Sequence, residues 1–402
     1  MKTIFLLVLV LCSTAMADGI YPRGDKLPFM GYSGDPSRDL TNGFTVAGPV
    51  YGNQMPYLQR CFSNRWLVVA HVGPRITFND KSPDKYKLDE AALRAQVEQQ
   101  VRELAPHKEI VWWIVTPEEL RPWRKEEMKY LDVVCATVRR HDPQQRPICL
   151  YNPNHSDAER LEPIARQVDV LAKGCYVNHV GRKRDRAWVR WSVEQELAAL
   201  KAAGRPKAIA LVTPELMRDP EPGEEGEIRS WVRHDVYLGL ASGAKGVLVF
   251  SLFKRKEVKR TWQLWYDAYA ECARELNGPR ALAQVFLFGE RRSDIKVDLV
   301  KGGGATTVRL GGEAEAGTTS ERERTGREIK MPSWTAAEFV HGGSRWLFLI
   351  NSANTAATFA LTKLPLNSRL ENAFAGTPFT LDRGSLTLPA YGVAAIRFAG
   401  EK

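Results

Sequence analysis

Short apolar runs alternate with amphipathic stretches along the chain from about residue 27 to residue 253. Each run has the length of a strand and is bounded by polar or turn-forming residues. Eight such runs are present, at residues 27–33, 44–50, 66–72, 110–115, 147–151, 168–177, 207–212 and 246–253.

Between these runs, apolar residues recur three and four positions apart, which predicts amphipathic helices. The stretch 88–104 places Leu93, Val97 and Val101 on one stripe, and 126–140 has the same spacing. Only about ten residues separate the first two strands, so the helix between them is expected to be very short. Eight strands that alternate with helices imply parallel crossovers and close a barrel. We therefore predict an α/β fold, a TIM-type (β/α)8 barrel.

The pattern changes after residues 277–280, where short alternating runs separated by Gly, Asn, Asp and Pro replace the helices. This pattern predicts an antiparallel β-sandwich of roughly a hundred residues. The first run, 281–289, is expected to be a strand, and the polar stretch 311–330 is expected to be a mobile loop. The predicted domains are therefore a catalytic barrel at 18–278 and a β-sandwich at 279–402.

The first 17 residues have the features of a secretory signal peptide. Lys2 precedes an apolar run of about ten residues, and small residues ending in Ala-Met-Ala predict cleavage after Ala17. The run is too short to span a bilayer, and no later segment is long enough. These features predict a secreted or periplasmic protein with no membrane span after cleavage.

Charge and cysteine usage limit the classes of partner and cofactor that are expected. The net charge is +10, but no nucleic-acid-binding motif accompanies it, so nucleic acid is not an expected partner. Five of the six cysteines lie beyond the signal peptide, and none has the spacing of a metal site or suggests a disulfide framework. No two histidines and a carboxylate share a metal-ligand spacing, so neither a metal nor another cofactor is expected.

The phrase Val-Thr-Pro-Glu occurs twice and places Glu118 after the fourth predicted strand and Glu215 after the seventh. In a barrel all strand C-termini open on one face, so the two carboxylates would face each other across its mouth. Glycoside hydrolysis requires such a pair of carboxyl groups. A structural alternative is that Glu after Pro simply favours the start of a helix. Glu119 is a rival to Glu118.

Several stretches resemble the clan-A glycoside hydrolases over nearly the whole mature chain. They are "GFTVAGPV" at the second strand, "RRHDPQQRPICLYNP" leading into the fifth, "LASGAKGVLVFSL" leading into the eighth, and the two Val-Thr-Pro-Glu phrases. The resemblance implies a retaining enzyme with Glu118 as acid/base and Glu215 as nucleophile. Retention requires carboxyl groups about 5–5.5 Å apart.

The chain departs from that family's pattern at two places. Pro117 precedes the predicted acid/base where the family usually has Asn, and Phe250, Ser251 and Phe253 end the eighth strand where a Trp often lies. These departures support a second hypothesis, a non-catalytic carbohydrate-binding protein on the same barrel. An esterase is disfavoured because no G-x-S-x-G motif is present.

Further side chains that could contact a sugar follow the strands. They are His71 and Arg75 after the third strand, Asn152 and His155 after the fifth, and Tyr176, Asn178 and His179 after the sixth. The resemblance implies that Tyr176 holds the nucleophile, although a core role is equally open. The Asn and His residues can bind hydroxyl groups, but they also suit ordinary turns.

Aromatic and basic residues complete the predicted mouth. Trp112 and Trp113 must face opposite sides of the fourth strand, whereas Trp123 in the next loop is the better candidate for stacking on a sugar. Arg182 and Lys254 lie in basic runs that follow the sixth and eighth strands. A positive rim there would favour an acidic polysaccharide, although solvated helix starts are an alternative. The expected partner is thus a carbohydrate, which would be acidic if this rim binds it, and the oligomeric state is left open.

Overall fold

A parallel sheet dominates the first half of the protein. The structure, a computed structural model, describes residues 24, 26–74, 87–116, 120–179, 186–310, 327–365, 369–374, 377–378 and 381–399. The predicted signal peptide therefore lies outside the described residues. The parallel strands are β1 (Phe29–Gly31), β2 (Val68–Val72), β3 (Ile110–Val115), β4 (Ile148–Asn152), β5 (Val170–Gly174), β6 (Ile209–Thr213) and β7 (Val247–Val249). They pair in the order β1-β7-β6-β5-β4-β3-β2 and correspond to the first and the third to eighth predicted strands.

Residues 45–47, here called the closing segment, join the two edges of this sheet. The backbone N–H of Thr45 donates to the carbonyl of Phe29 in β1 (3.0 Å), and that of Ala47 donates to the carbonyl of Leu67 beside β2 (2.8 Å). The closing segment therefore occupies the place of the second strand and completes a ring of eight, as the sequence predicts.

The closing segment is shorter than the predicted strand 44–50 because the chain turns directly after it. Gly48 has a φ of +74°, which a regular strand does not allow, and Pro49 has no N–H to donate to a ladder. The helix before the segment, α1 (Pro36–Thr41), has only six residues, as the short spacing predicts.

Side chains from every strand and from the closing segment fill the barrel interior. This interior cluster includes Met30, Val46, Val69, Trp112, Ile114, Cys149, Tyr151, Val170, Ala172, Ile209, Leu211 and Leu248. Trp113 instead packs in the cluster between the barrel and its helices, where its Nε1 donates to Asp142 Oδ2 (2.9 Å). The prediction that Trp112 and Trp113 face opposite sides of one strand is confirmed.

Helices cover the outside of the barrel. They are α2 (Met55–Asn64), α3 (Glu90–Leu104), α4 (Lys125–His141), α5 (Ala158–Ala165), α6 (Trp188–Ala202), α7 (Ile228–Ser242) and α8 (Trp262–Asn277), with one-turn 3-10 helices at Glu225–Glu227 and Lys256–Val258. In α3 the predicted stripe of Leu93, Val97 and Val101 is buried. The side chain of Asp89 caps this helix by accepting from the N–H of Ala92 (3.0 Å).

Antiparallel strands form the second half of the protein. They are β8 (Glu290–Arg292), β9 (Lys296–Lys301), β10 (Ala305–Leu310), β11 (Arg327–Pro332), β12 (Trp334–His341), β13 (Ser344–Asn351), β14 (Ala357–Thr362), β15 (Arg369–Asn372), β16 (Thr377–Pro378), β17 (Ser385–Leu388) and β18 (Val393–Ala399). A sheet of order β16-β15-β18-β13-β12-β8 and a sheet of order β17-β14-β9 share one apolar cluster, and β10 pairs with β11. The predicted fold class, a (β/α)8 barrel followed by an antiparallel β-sandwich, is confirmed.

Two stretches of the second half, 281–289 and 311–330, carry specific predictions from the sequence. The run 281–289 is not a strand but contains the helix α9 (Leu282–Phe288). Its buried residues Leu282, Val285 and Phe286 are spaced by three and four positions, which suits a helix better than a strand. Of the predicted loop 311–330, residues 311–326 lie outside the described residues, and the rest belongs to β11.

One buried hydrophobic cluster contains residues from both the barrel and the sandwich. The ring of Phe348 in β13 lies 4.4 Å from that of Phe286 in α9 and 6.3 Å from that of Tyr237 in the barrel helix α7. All three residues belong to a single buried cluster. The two halves therefore stabilise each other. The predicted domain boundary at 278/279 stays a prediction.

Replacement of Phe348 by Ala is expected to lower the free energy of unfolding by about 3–5 kcal/mol, because it opens a cavity between the barrel and the sandwich. Phe253→Ala is the matched control, since this side chain is 57% exposed, and its cost should stay within about 0.5 kcal/mol. Urea unfolding of both variants measures the difference. Equal costs would contradict the shared core.

Candidate active site

The C-terminal ends of the parallel strands meet over a layer of aromatic rings. Tyr32 follows β1, Tyr151 lies in β4, Tyr176 follows β5, and Phe250 follows β7. We call these four side chains the aromatic floor. The Tyr32 ring centroid lies 6.1 Å from that of Tyr151 and 5.2 Å from that of Phe250. The Tyr176 ring centroid lies 5.4 Å from that of Phe250. The hydroxyl groups of Tyr151 and Tyr176 are hydrogen-bonded. The floor closes the barrel interior and forms the base of its mouth.

Glu215 lies beside this floor, two residues beyond the end of β6. Its backbone forms a parallel bridge with Phe250, and its carbonyl accepts from the hydroxyl of Tyr269 in α8 (2.7 Å). The side chain points towards the loop after β5. The structure thus places Glu215 at the C-terminal end of the barrel strands, and its catalytic role stays a prediction.

Three consecutive backbone N–H groups hold the Glu215 carboxylate. Oε1 accepts from Val177 (2.9 Å) and from Asn178, and Oε2 accepts from His179 (2.7 Å). We call residues 177–179 the anchor loop. A carboxylate has about four acceptor positions, so these three bonds leave one on Oε2. The carboxylate is therefore held in one orientation without being fully saturated.

Burial raises the pKa of the Glu215 carboxyl above its ordinary value. The side chain is only 2% exposed, and water can no longer stabilise its charge. The N–H groups of Asn178 and His179 and the charge of Arg186 act in the opposite direction. The site thus combines a desolvated acid with donors directed at its ionised form.

A chain of buried polar contacts supports the anchor loop from behind. The guanidinium of Arg186 donates to Asn178 Oδ1 (2.9 Å) and to Asp235 Oδ2 (2.6 Å). The other oxygen of Asp235 contacts His234 Nδ1 (2.8 Å), and His234 Nε2 contacts the hydroxyl of Ser352 in the sandwich (2.9 Å). We call these five residues the support network. It connects the loop that holds Glu215 to the second domain.

The structure brings Tyr176, Asn178 and His179 together with Glu215, but not in the predicted manner. The hydroxyl of Tyr176 bonds that of Tyr151, while the backbone of the following three residues holds the carboxylate. Asn178 directs its side chain towards Arg186, and His179 is exposed at the edge of the mouth. The anchor loop is therefore the element that positions Glu215.

Asn152 lies away from the mouth. It is fully buried at the end of β4, and its Nδ2 donates to the carbonyls of Leu150 (3.0 Å) and Ala172 (3.3 Å). Because side chains alternate along a strand, Asn152 points outward like Leu150, while Tyr151 points into the barrel. The predicted sugar contact at this position has no support in that geometry, although His155 in the following loop is half-buried.

His71 lies near the C-terminal end of β2, beside Thr116, the last described residue before Glu118 in the sequence. Its Nδ1 contacts the hydroxyl of Thr116 (2.8 Å), and Thr116 follows the last residue of β3. Three predicted site residues, Glu118, Arg75 and Arg182, lie outside the described residues. The separation of the two proposed catalytic carboxylates therefore stays a prediction.

Exposed aromatic side chains rise from three of the loops around the mouth. Tyr51 follows the closing segment, Trp123 follows β3, and Phe253 follows β7, with exposures of 39%, 45% and 57%. The guanidinium of Arg160 lies 4.5 Å from the Trp123 ring and fixes one of its faces. Single exposed rings are common on protein surfaces, but a ring beside a barrel mouth can also stack on a ligand. The stacking role predicted for Trp123 is consistent with this position.

Lys254 also lies on the loop after β7, as predicted. Its ammonium group is 4.5 Å from the centroid of the Trp262 ring. Among the described residues, no group of three His, Cys, Asp or Glu side chains is placed to hold a metal ion. Within the same ranges, none of the helices combines the length and apolarity that crossing a bilayer requires.

The sequence did not point to the support network. Arg186 lies in the middle of the basic run 181–191, and His234 and Asp235 are adjacent in the middle of α7. Three ionisable residues in apolar surroundings are a signal in principle, because buried charges are normally paired. Their partners, however, are 49 and 118 positions away in the chain, so the pairing depends on the fold.

No family model matches the chain, and no curated protein matches it. Among solved structures, an α-amylase from Geobacillus thermoleovorans is similar, with a TM-score of 0.53 and 8% identity over 94% of this chain and 99% of the other. A β-galactosidase from Bacillus circulans sp. alkalophilus has a TM-score of 0.53 and 11% identity over 93% of this chain and 99% of the other. Both are glycoside hydrolases. The predicted resemblance to glycoside hydrolase barrels is thus confirmed at the level of fold.

His234 is expected to make stability depend on pH. Burial lowers its pKa below the ordinary value of 6.5, against the opposing effect of Asp235. Below pH 6.5 the unfolded chain therefore binds a proton that the folded chain does not. The free energy of unfolding thus decreases as the pH is lowered from 6.5 to the lowered pKa of His234. The slope from this residue is at most about 1.4 kcal/mol per pH unit.

Unfolding titrations in urea between pH 7.5 and pH 5 measure this slope. His234→Gln should flatten it, whereas His341→Gln, at a half-buried position in β12 outside the support network, should not. An unchanged slope in the His234 variant would contradict the assignment.

Proposed function

We propose that the protein is an exported glycoside hydrolase that cleaves its substrate with retention of configuration. Glu215 is the nucleophile, and Glu118 is the acid/base. The single observation that carries the proposal is the carboxylate of Glu215, which is buried at the end of β6 beside the aromatic floor and held by three N–H groups. The fold supports it, because active sites of (β/α)8 barrels lie at the C-terminal ends of the strands.

The anchor loop suits the role of a nucleophile. The one remaining acceptor position on Oε2 is available to form the bond to the anomeric carbon, and the three N–H groups fix the direction of attack. When the glycosyl-enzyme ester is hydrolysed, the same donors stabilise the departing carboxylate. Glu118 would protonate the leaving oxygen in the first step and activate water in the second.

The exposed rings around the mouth support a carbohydrate substrate. Tyr51, Trp123 and Phe253 offer exposed apolar rings from the segments that follow the closing segment, β3 and β7. A sugar ring presents C–H groups on one face and hydroxyl groups at its edge, so it can lie against such a ring and keep its polar edge solvated. The N-terminal leader supports export, and the basic loop after β7 supports an acidic substrate.

One observation favours a second candidate, a carbohydrate-binding barrel without catalysis. Glu215 is almost completely buried, and its bonds to residues 177–179 are those of a carboxylate that fastens a loop. The family's Asn before the acid/base is replaced by Pro117. Binding of oligosaccharides without cleavage, over a wide panel of substrates, would select this candidate.

Glu215→Gln is expected to lower kcat by at least about a thousandfold, because the amide cannot form the ester intermediate. KM should change far less, since Gln keeps the size of the side chain and its oxygen can still accept from Val177 and Asn178. Turnover of aryl glycosides measures the loss, and Glu221→Gln, an exposed carboxylate six positions on, serves as the control. Thermal unfolding must show that the Glu215 variant is folded, and a folded variant with wild-type kcat would eliminate the assignment.

The acid/base can be distinguished from its neighbour by a pair of variants. Glu118→Gln should reduce kcat by about 10²–10⁴-fold on substrates with poor leaving groups, because these need protonation. Glu119→Gln should stay within a few-fold of the wild type. The reverse outcome would transfer the role to Glu119, and no effect from either variant would contradict the proposed mechanism.

A further inference from the structure

The loop after β7 encloses a surface cavity of about 500 Å³, which we call the basic pocket. Its lining includes Lys254, Arg255, Lys256, Lys259, Arg260 and Trp262. None of the described residues that line it is acidic. Five cationic side chains thus converge on a space large enough for a small ligand.

Only some of these charges are neutralised. Arg260 pairs with Glu225 (2.9 Å) and Asp219 (3.6 Å), and Lys256 lies 3.8 Å from Glu257. In the part of the chain that the structure describes, no carboxylate lies within ion-pair distance of the remaining three cations, Lys254, Arg255 and Lys259. Like charges that share a cavity repel one another, so the arrangement favours the binding of an anion.

The pocket adjoins the aromatic floor. Arg255 donates to the hydroxyl of Ser251 (3.0 Å), and its guanidinium lies 5.2 Å from the centroid of the Phe250 ring. On the other side, the ammonium of Lys254 lies over Trp262, which is nearly buried. Two of the three unpaired cations are therefore held by neighbouring side chains rather than moving freely in solvent.

We propose that the basic pocket is the subsite that binds the anionic group, a carboxylate or a sulfate, of an acidic sugar next to the unit held over the aromatic floor. Its place as a substrate subsite rests on the proposed function. Arg255 offers a planar set of donors that matches both groups. Lys254 and Lys259 supply charge from the sides.

Binding titrations with four probes test this assignment: a galacturonate tetrasaccharide, a sulfated galactose tetrasaccharide, a neutral galactose tetrasaccharide and inorganic sulfate. The full chain carrying Glu215→Gln is used, so that no probe is consumed. The double substitution Lys254→Gln with Lys259→Gln is added to it. The matched control is Lys201→Gln with Lys207→Gln, which removes the same charge from two exposed positions, one near the end of α6 and one just before β6.

The pocket substitutions should weaken binding of an acidic tetrasaccharide by at least about tenfold, as expected for lost contacts to a charged group. Binding of the neutral tetrasaccharide should change less than twofold, and the control should retain its affinity for every probe. Which acidic probe binds identifies the anion as carboxylate or sulfate.

Three outcomes would overturn the subsite. The first is that the pocket variant binds the acidic tetrasaccharides with the affinity of the protein that carries Glu215→Gln alone. The second is an equal loss of affinity in the control variant, which would indicate a general charge effect. The third is that the protein binds inorganic sulfate but neither acidic tetrasaccharide. Failure of the proposed function is distinguishable, because it would show as specific binding of an acidic sugar that the unsubstituted protein never cleaves.

Discussion

The hold of three backbone N–H groups on one buried carboxylate is the interaction on which the rest of the site depends. Glu215 follows β6, and residues 177–179 follow β5, so the bonds join the ends of neighbouring strands. They compensate for the loss of water around the charge, which would otherwise make an ionised carboxylate at this depth very costly. The same bonds determine where the carboxylate points, and so connect a folding requirement with a chemical one.

The anchor loop is in turn held in place by the second domain. Its Asn178 meets Arg186, and from there the buried contacts pass through Asp235 and His234 to Ser352 in the sandwich. Apolar packing of Phe348 against barrel residues surrounds this route. The sandwich can therefore help to preserve the geometry of the loop that holds Glu215.

The sequence predicted what depends on local pattern. The Val-Thr-Pro-Glu phrase placed Glu215 at a strand end, and alternation placed Trp112 and Trp113 on opposite faces, because both properties follow from the chain itself. The sequence does not show that Asn152 points away from the mouth, because this depends on how far β4 continues. It does not show the support network either, because its members meet only after folding. The run 281–289 forms a helix rather than the predicted strand, since its buried residues are spaced by three and four positions. The separation of Glu118 from Glu215 depends on a loop outside the described residues.

The most direct measurement is to identify the residue that becomes attached to substrate. An activated 2-deoxy-2-fluoro glycoside slows both steps of a retaining reaction, because fluorine destabilises the oxocarbenium-like transition states, while the good leaving group still lets the covalent intermediate form. Mass spectrometry of the digested protein then locates the sugar. The proposed mechanism predicts a single labelled peptide with the sugar on Glu215. A label on another carboxylate, or cleavage with inversion and no label, would contradict it.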